Sequence, residues 1–454
     1  MKKLLVLSLL STVSLAAAEK PAKVTMAKIC GTCHESQESS LRGYFENVSL
    51  KLGKVQLRMD ETVELLDFNP AQFKIVNGAN RESPEYLQEI PKNKEVRIEY
   101  IEKDGKRYAT ALSIKQPFTV PKEMLISTEE LAKLVALGPE KGKYFLYDSL
   151  PPLRTQGGMI PTAVNLPFPA FDQNVGKLPK DKDALVIFYC AGVTCAMSPS
   201  SAKKAQSLGY KNIRVYHEGI PEWSKKHYTF LTPKSFKEGW LDKGMPSVLI
   251  DIRKVEEAEK GHLKGAVTMQ PEEVKKSISS LPPKNKKAPI IVYGNDTEQA
   301  IKFAEELLSA GYGNVKVLQG GMGAWSEAHY PIELGKLETK IVYVPKLKPG
   351  EISFEDFKKT VEDGLKDVWF IDVRPMNESA RASIKGAKHI PVAELEKHLG
   401  EIPKDKMVLA YCNTGTLAEM AYYMLLERGY TNVKFLNRTL DIHADSTYSV
   451  SPGK

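Results

Sequence analysis

One phrase occurs three times in this chain: Gly209-Tyr-Lys-Asn-Ile-Arg-Val215, Gly311-Tyr-Gly-Asn-Val-Lys-Val317 and Gly429-Tyr-Thr-Asn-Val-Lys-Phe435. Such self-similarity requires three copies of one supersecondary unit. Each phrase closes an expected helix, over Pro199 to Leu208, Thr297 to Ala310 and Thr416 to Arg428, with glycine at the cap. Each then opens a short β-branched strand. Upstream, every unit has an apolar strand closing on aspartate: Tyr144 to Asp148, Val248 to Asp251 and Val368 to Asp372. Turn-and-strand phrases follow, at Gly158 to Pro167, Gly261 to Val267 and Ile384 to Pro391. A second strand ends in Phe188-Tyr-Cys190, Val292-Tyr-Gly294 or Ala410-Tyr-Cys412, and a helix comes next. Continuous apolar strands alternating with helices imply an α/β fold in which a parallel sheet is covered by helices on both faces. Ligands of such sheets sit beyond the carboxyl ends of the strands, where the Tyr-Cys loops fall.

The ordered set Asp-x-Arg, Gly-His-x-x-Gly-Ala, strand-terminal Cys loop, Gly-Tyr-x-Asn-Val and Gly-x-x-x-Trp resembles the rhodanese family, over roughly residues 125 to 440. The resemblance implies sulfur transfer through a cysteine persulfide, with the strand aspartates Asp148, Asp251 and Asp372 ordering neighbouring loops. The third unit has Leu436-Asn-Arg438 where the others carry the Trp phrase.

Persulfide chemistry needs an accessible thiolate. Cys190, in Cys190-Ala191-Gly192-Val193-Thr194-Cys195-Ala-Met-Ser198, is the expected nucleophile, with Ala191, Gly192, Val193 and Thr194 as the substrate-binding loop. Its amides and the following helix N-terminus are expected to aim donors at the sulfur. Gly192 permits the curl, and Thr194 and Ser198 offer hydroxyls. Cys195 takes the position of the family's substrate-binding arginine. It either resolves a Cys190 persulfide as a disulfide or packs as a small buried residue. In the third unit Cys412 is the second candidate, with Asn413, Thr414, Gly415 and Thr416 as its loop and Leu417 at the arginine position. It either accepts sulfur from another persulfide or is vestigial. The second unit has Gly294 in place of cysteine, so a structural role is expected of it.

The N-terminal Lys2 and Lys3, the apolar run Leu4 to Leu15 and Ala16-Ala17-Ala18 read as a signal peptide cleaved after Ala18, implying a periplasmic or otherwise exported protein. The apolar run is short for a membrane span, and no span is expected once it is removed. Cys30-Gly-Thr-Cys33-His34 is the attachment pattern of c-type haem: Cys30 and Cys33 form thioethers and His34 ligates iron. A disulfide or another metal site is the alternative. Strand-like runs over Lys54 to Met59, Thr62 to Phe68, Gln72 to Val76, Glu95 to Glu102 and Arg107 to Ile114 indicate a small β module. Linkers are expected at Gln116 to Pro121 and Gly335 to Pro349.

The expected organisation is a signal peptide over 1–18, the haem motif with a β-rich module over 19–116, and rhodanese-like units over 124–231, 232–334 and 350–440. The net charge of +8 is spread among acidic residues rather than blocked, so no nucleic-acid partner is indicated. The expected partners are thiosulfate, polysulfide and a periplasmic redox protein. The function read from these features is an exported sulfurtransferase or sulfane-sulfur carrier coupled to covalent haem c. The rivals are a noncatalytic electron-transfer scaffold and a dithiol oxidoreductase using Cys190 and Cys195.

Overall fold

The computed structural model describes residues 25–450, apart from 29, 33, 61, 77–82, 285–286 and 380–381. The expected signal peptide and Cys33 lie outside the described residues. Among the described residues no helix is long and apolar enough to cross a membrane.

The N-terminal strands form one six-stranded sheet, ordered Thr62–Phe68, Lys54–Met59, Ser40–Ser49, Glu95–Lys103, Lys106–Ile114 and Lys74–Val76. A parallel pairing of Asp67 with Tyr108 and Phe68 with Ala109 joins its flanks, closing a small barrel with the strand connectivity of an OB-type barrel. Closure removes the free edges that a lone sheet would expose. The interior is filled by Leu41, Val55, Leu57, Leu66, Val96, Ile98 and Leu112. Ser40–Ser49, the longest strand, was not among the expected ones. Its alternation is broken by a register shift between Phe45 and Asn47, and Gly43 sits where a Cβ would fall 2.5 Å from the Arg58 carbonyl oxygen.

Three parallel sheets follow. The first is ordered Ile213–Tyr216, Leu185–Tyr189, Tyr144–Asp148, Val164–Asn165. The second is ordered Thr229–Leu231, Val315–Leu318, Ile290–Tyr293, Val248–Asp251, Val267–Thr268. The third is ordered Lys388–His389, Val368–Asp372, Met407–Tyr411, Val433–Phe435. The repeat is visible at atomic level. In each unit the tyrosine ending the second strand accepts a backbone N–H from the turn phrase: Ile160 to Tyr189 at 3.1 Å, Leu263 to Tyr293 at 3.1 Å and Ile384 to Tyr411 at 3.0 Å. The helices after these strands span Met197–Ser207, Thr297–Ser309 and Thr416–Glu427.

The expected division at 231/232 needs correction. Thr229–Leu231 pairs with Lys316–Leu318 in the second sheet, so it belongs to the second unit. A bridge between Met159 and Phe230 ties that strand back to the first unit.

The barrel docks on the third unit. Leu52, Val63 and Leu65 pack against the cluster built around Thr416–Glu427, which Leu417 also joins. At its edge Lys348 Nζ lies 2.6 Å from Glu46 Oε1 of the barrel and 2.8 Å from Glu419 Oε1 of the helix. Asn47 Nδ2 donates to Glu419 Oε2 at 3.1 Å.

Candidate functional site

The two cysteine loops hold their sulfurs differently because their lengths differ. In the third unit the helix begins at Thr416, soon after Cys412, and Gly415 takes φ +84° to turn the chain into it. The tight loop wraps Cys412, and the amides of Ala418, Thr414, Leu417 and Gly415 all act on its sulfur, opposing the burial that pushes the thiol up. Four backbone donors at a helix N-terminus form a concavity suited to an anionic sulfur. Of the loop residues expected from the sequence, Thr414 and Gly415 contribute amides, whereas Asn413 Oδ1 accepts from Arg374 Nη1 at 3.2 Å. The Leu417 and Ala418 amides were missed. Their signal was present in the helix start, but direction depends on the loop's curl.

In the first unit the helix begins later, at Met197, and the longer loop gathers a pair of sulfurs. The expected amide cradle around Cys190 therefore differs in the structure. Ser198 supplies the contacts: its N–H donates to Cys190 Sγ at 3.4 Å, and its Oγ lies 3.0 Å away. Thr194 makes no described bond to that sulfur. The Met197 and Ala191 amides instead serve Cys195. The Cys190 thiol donates to the Cys195 carbonyl oxygen at 3.5 Å, and its hydrogen bonding, helped by these amides, pushes the Cys195 thiol down against its burial. Burial pushes Cys190 well up, and the anion beside it adds to the rise. The two thiols therefore titrate as a pair. Both thiols are unpaired and buried, with Leu150, Met197, Phe168 and Ala191 around them.

Two further residues escaped sequence reasoning. Arg154, on the short helix Pro152–Thr155, favours the Cys195 anion, a charge at the site where the family's loop arginine is missing. Phe118, in the linker, donates its N–H to Val193 O at 2.8 Å. Neither had a motif to mark it.

Gly219 braces the first loop. It takes φ +61°, and a Cβ there would lie 2.1 Å from Cys190 O and 2.6 Å from Gly192 N, both backbone atoms. Gly219→Ala is expected to destabilise the chain by about 2–4 kcal/mol, combining left-handed strain with overpacking. An unchanged denaturant midpoint would contradict this.

The N-terminal motif lies against the barrel. His34 Nε2 is 3.0 Å from Glu95 Oε1 and 3.1 Å from Lys115 Nζ. Burial, Arg42 and Lys115 lower its proton affinity. Cys30 is buried beside Tyr44, and burial pushes its thiol up to about 11. A cavity of about 360 Å³ opens beside His34, lined by Arg42, Arg97, Lys115, Ile114 and Phe118 among others. Among the described residues no group of three or more His, Cys, Asp or Glu could hold a bare metal ion.

Parallel sheets in tandem, with cysteines at strand-to-helix junctions, define a family of sulfur-handling α/β domains. The rhodanese-like domain model matches residues 127–226, 232–328 and 353–441, and the chain belongs to that family. A sulfurtransferase of Allochromatium vinosum is 32% identical over 84 residues, 18% of this chain and 78% of that protein. YrkF of Bacillus subtilis is 35% identical over 83 residues, 18% of this chain and 44% of that protein. YibN of Escherichia coli is 31% identical over 90 residues, 20% of this chain and 63% of that protein. The chain thus spans less than two thirds of the length of YrkF and YibN. A thiosulfate sulfurtransferase structure from Pseudomonas aeruginosa is 18% identical, covers 69% of this chain and 66% of its own, and superposes with a TM-score of 0.23.

Proposed function

We propose that this protein is an exported, haem-bearing sulfurtransferase or sulfane-sulfur carrier that takes sulfur from thiosulfate or polysulfide. The convergence of four backbone amides on Cys412 carries the reading, because it stabilises a persulfide anion without a side-chain clamp. Cys190 is the second carrier. Its neighbour Cys195 equips the first unit for thiol–disulfide exchange as well. With leucine and cysteine at the two arginine positions, polysulfide is the better donor, since thiosulfate depends more on a guanidinium. The second unit, with Gly294 at the cysteine position, serves as structural support.

Haem is part of the proposal. The residues fit such a group: His34 favours the neutral, iron-ligating form, and Arg42, Arg97 and Lys115 around an apolar wall suit a flat ligand with carboxylates. Cys30 and Cys33 would hold it through thioethers and His34 through iron, giving up contacts with Glu95 and Lys115. Bound there, it supplies one-electron transfer. Coupling to the first unit is supported by Phe118, which lines the His34 cavity and bonds Val193 of the Cys190 loop. It is also supported by Arg154, whose charge acts on both Tyr44, beside Cys30, and Cys195.

Protein from an exporting, haem-maturing host is the test. Mapped peptides should gain one sulfur atom on Cys412 and one on Cys190 after polysulfide treatment, and denatured chain should keep a c-type haemochrome spectrum. Absence of added sulfur on both cysteines would refute sulfur carriage, and a colourless chain would refute the haem.

A further inference from the structure

The third unit replaces the Trp phrase with Leu436-Asn437-Arg438-Thr439, and the replacement changes what lies against its cysteine loop. In the first two units a glycine opens the short helices Gly219–Lys226 and Gly321–Glu327, and the next residue donates its N–H to the loop. Ile220 bonds Cys190 O at 3.1 Å, and Met322 bonds Gly294 O at 2.9 Å. In the third unit the chain runs instead into a hairpin of Leu440–Ile442 with Tyr448–Val450, and Leu440 donates the equivalent bond, to Asn413 O at 2.8 Å. Leu436 N–H bonds Ala410 O at 3.0 Å, two residues before Cys412. Between these anchors Asn437 lies on the loop itself. A Cβ on Gly415 would fall 2.7 Å from Asn437 Oδ1 and 3.1 Å from the Asn437 carbonyl carbon, to which Arg438 is joined. Ile442 and Tyr448 pack on the cluster around Phe357, which holds the far side of the segment.

Arg438 is therefore fixed at its backbone beside the Cys412 loop. The residue is exposed and makes no hydrogen bond or ion pair among the described residues. The other arginine on this loop is committed elsewhere. Arg374 gives Nη1 to Asn413 Oδ1 at 3.2 Å, but its Nε and Nη2 chelate Asp372 at 2.9 and 2.6 Å, as Arg253 chelates Asp251 in the second unit. The position matching Arg438 is Gly320 in the second unit, which has no cysteine, and Glu218 in the first. Glu218 is exposed too, and its carbonyl oxygen is 3.2 Å from where a Cβ on Gly192 would lie, so it borders the Cys190 loop. One position thus places a cation beside Cys412 and a carboxylate beside Cys190.

Polysulfide is a chain with negative charge at both ends. When one end reaches the buried Cys412 sulfur, the other remains outside the loop. We propose that Arg438 binds the outer, anionic end of the polysulfide that loads Cys412, and that Glu218 disfavours the same dianion at Cys190. This rests on the reading of Cys412 as a sulfur carrier. The amides serve the sulfur inside the loop, and the guanidinium adds paired, charge-assisted donors outside it. Arg438 thereby offsets, from another segment, the loop arginine replaced by Leu417. Thiosulfate, which is compact, gains less from a cation outside the loop.

The test uses the full chain in reducing-agent-free buffer, with sulfur on Cys412 and Cys190 mapped by peptide mass over a series of polysulfide concentrations. Arg438→Gln should raise the concentration for half-maximal loading of Cys412 about tenfold, the scale of one hydrogen bond to a charged group, and leave the rate at saturation within about twofold. Arg438→Lys should fall between the two. Added salt should weaken loading of Cys412 in the wild type and have little effect in Arg438→Gln. Reaction of Cys412 with dimethyl trisulfide, which has no charge, should be equal in wild type and Arg438→Gln. Glu218→Arg should bring loading of Cys190 to lower polysulfide concentrations. An Arg438→Gln chain that loads Cys412 at the wild-type concentration overturns the proposal. An equal loss with polysulfide and dimethyl trisulfide also overturns it, because Arg438 would then only hold the loop in shape. Failure of wild-type Cys412 to take sulfur from polysulfide at any concentration refutes instead the reading on which the proposal rests.

Discussion

Cys412→Ser is expected to abolish sulfur loading of the third unit completely and to remove one of the two sulfur atoms carried per chain. Serine preserves the loop's size and can accept the same amide hydrogen bonds, so the cradle should survive while the nucleophile disappears. The four amides matter most once sulfur is bound. Burial keeps the resting thiol neutral, whereas a persulfide is the more acidic group and gains directly from charge-assisted donors. Cys412 should therefore hold its sulfur longer than Cys190, whose neighbour Cys195 can displace it. Mass mapping at intervals after polysulfide treatment measures both. A Cys412→Ser chain with undiminished total load, or a wild type that loses sulfur from Cys412 first, would contradict the assignment.

The α/β units were legible because their cores are local in sequence: each apolar strand, glycine cap and following helix is a continuous run. Thr229–Leu231 was misassigned because its pairing is nonlocal. It follows the Gly219–Lys226 helix of the first unit directly, yet its partner Lys316–Leu318 lies far downstream. Ser40–Ser49 was missed because a bulge and a glycine break the two-residue period that marks a strand. At the site, the cysteines were evident from type and position. Which sulfur receives the amides was not, since it depends on where the helix starts: Met197 in one loop, Thr416 in the other. Asp148 illustrates the same limit. Its missing arginine partner is visible in Asp148-Ser149-Leu150, but its complete burial with Oδ2 left without a hydrogen-bond partner among the described residues is not.

Lys348→Ala should be the most destabilising surface-proximal change, at about 3 kcal/mol, the lower end of the cost of breaking a buried ion pair. Glu419 is fully buried and Glu46 nearly so, and Lys348 Nζ bonds both, at 2.8 and 2.6 Å. Without it, two carboxylates face each other at the junction of barrel and third unit. Asn47 still serves Glu419, Arg58 Nε stands 3.5 Å from Glu46, and Lys348 is itself partly exposed, which keeps the cost at the lower end. The pH dependence gives a sharper test than the size of the loss. Burial already raises the Glu419 carboxyl above its ordinary value, with Lys348 opposing. A carboxyl raised in the folded state favours folding when protonated, so stability is gained as pH falls through its folded value and lost as pH rises. Removing Lys348 raises it further. The deficit of Lys348→Ala should therefore be largest where Glu419 is ionised and shrink as acidification protonates it, whereas Lys348→Arg should keep most of the wild-type stability. Denaturant unfolding of both variants across that pH range measures this directly. A deficit that stays constant with pH would mean that Lys348 acts through packing of its alkyl stem, alongside Leu52, Val63 and Leu65 of the barrel on the Cys412 helix.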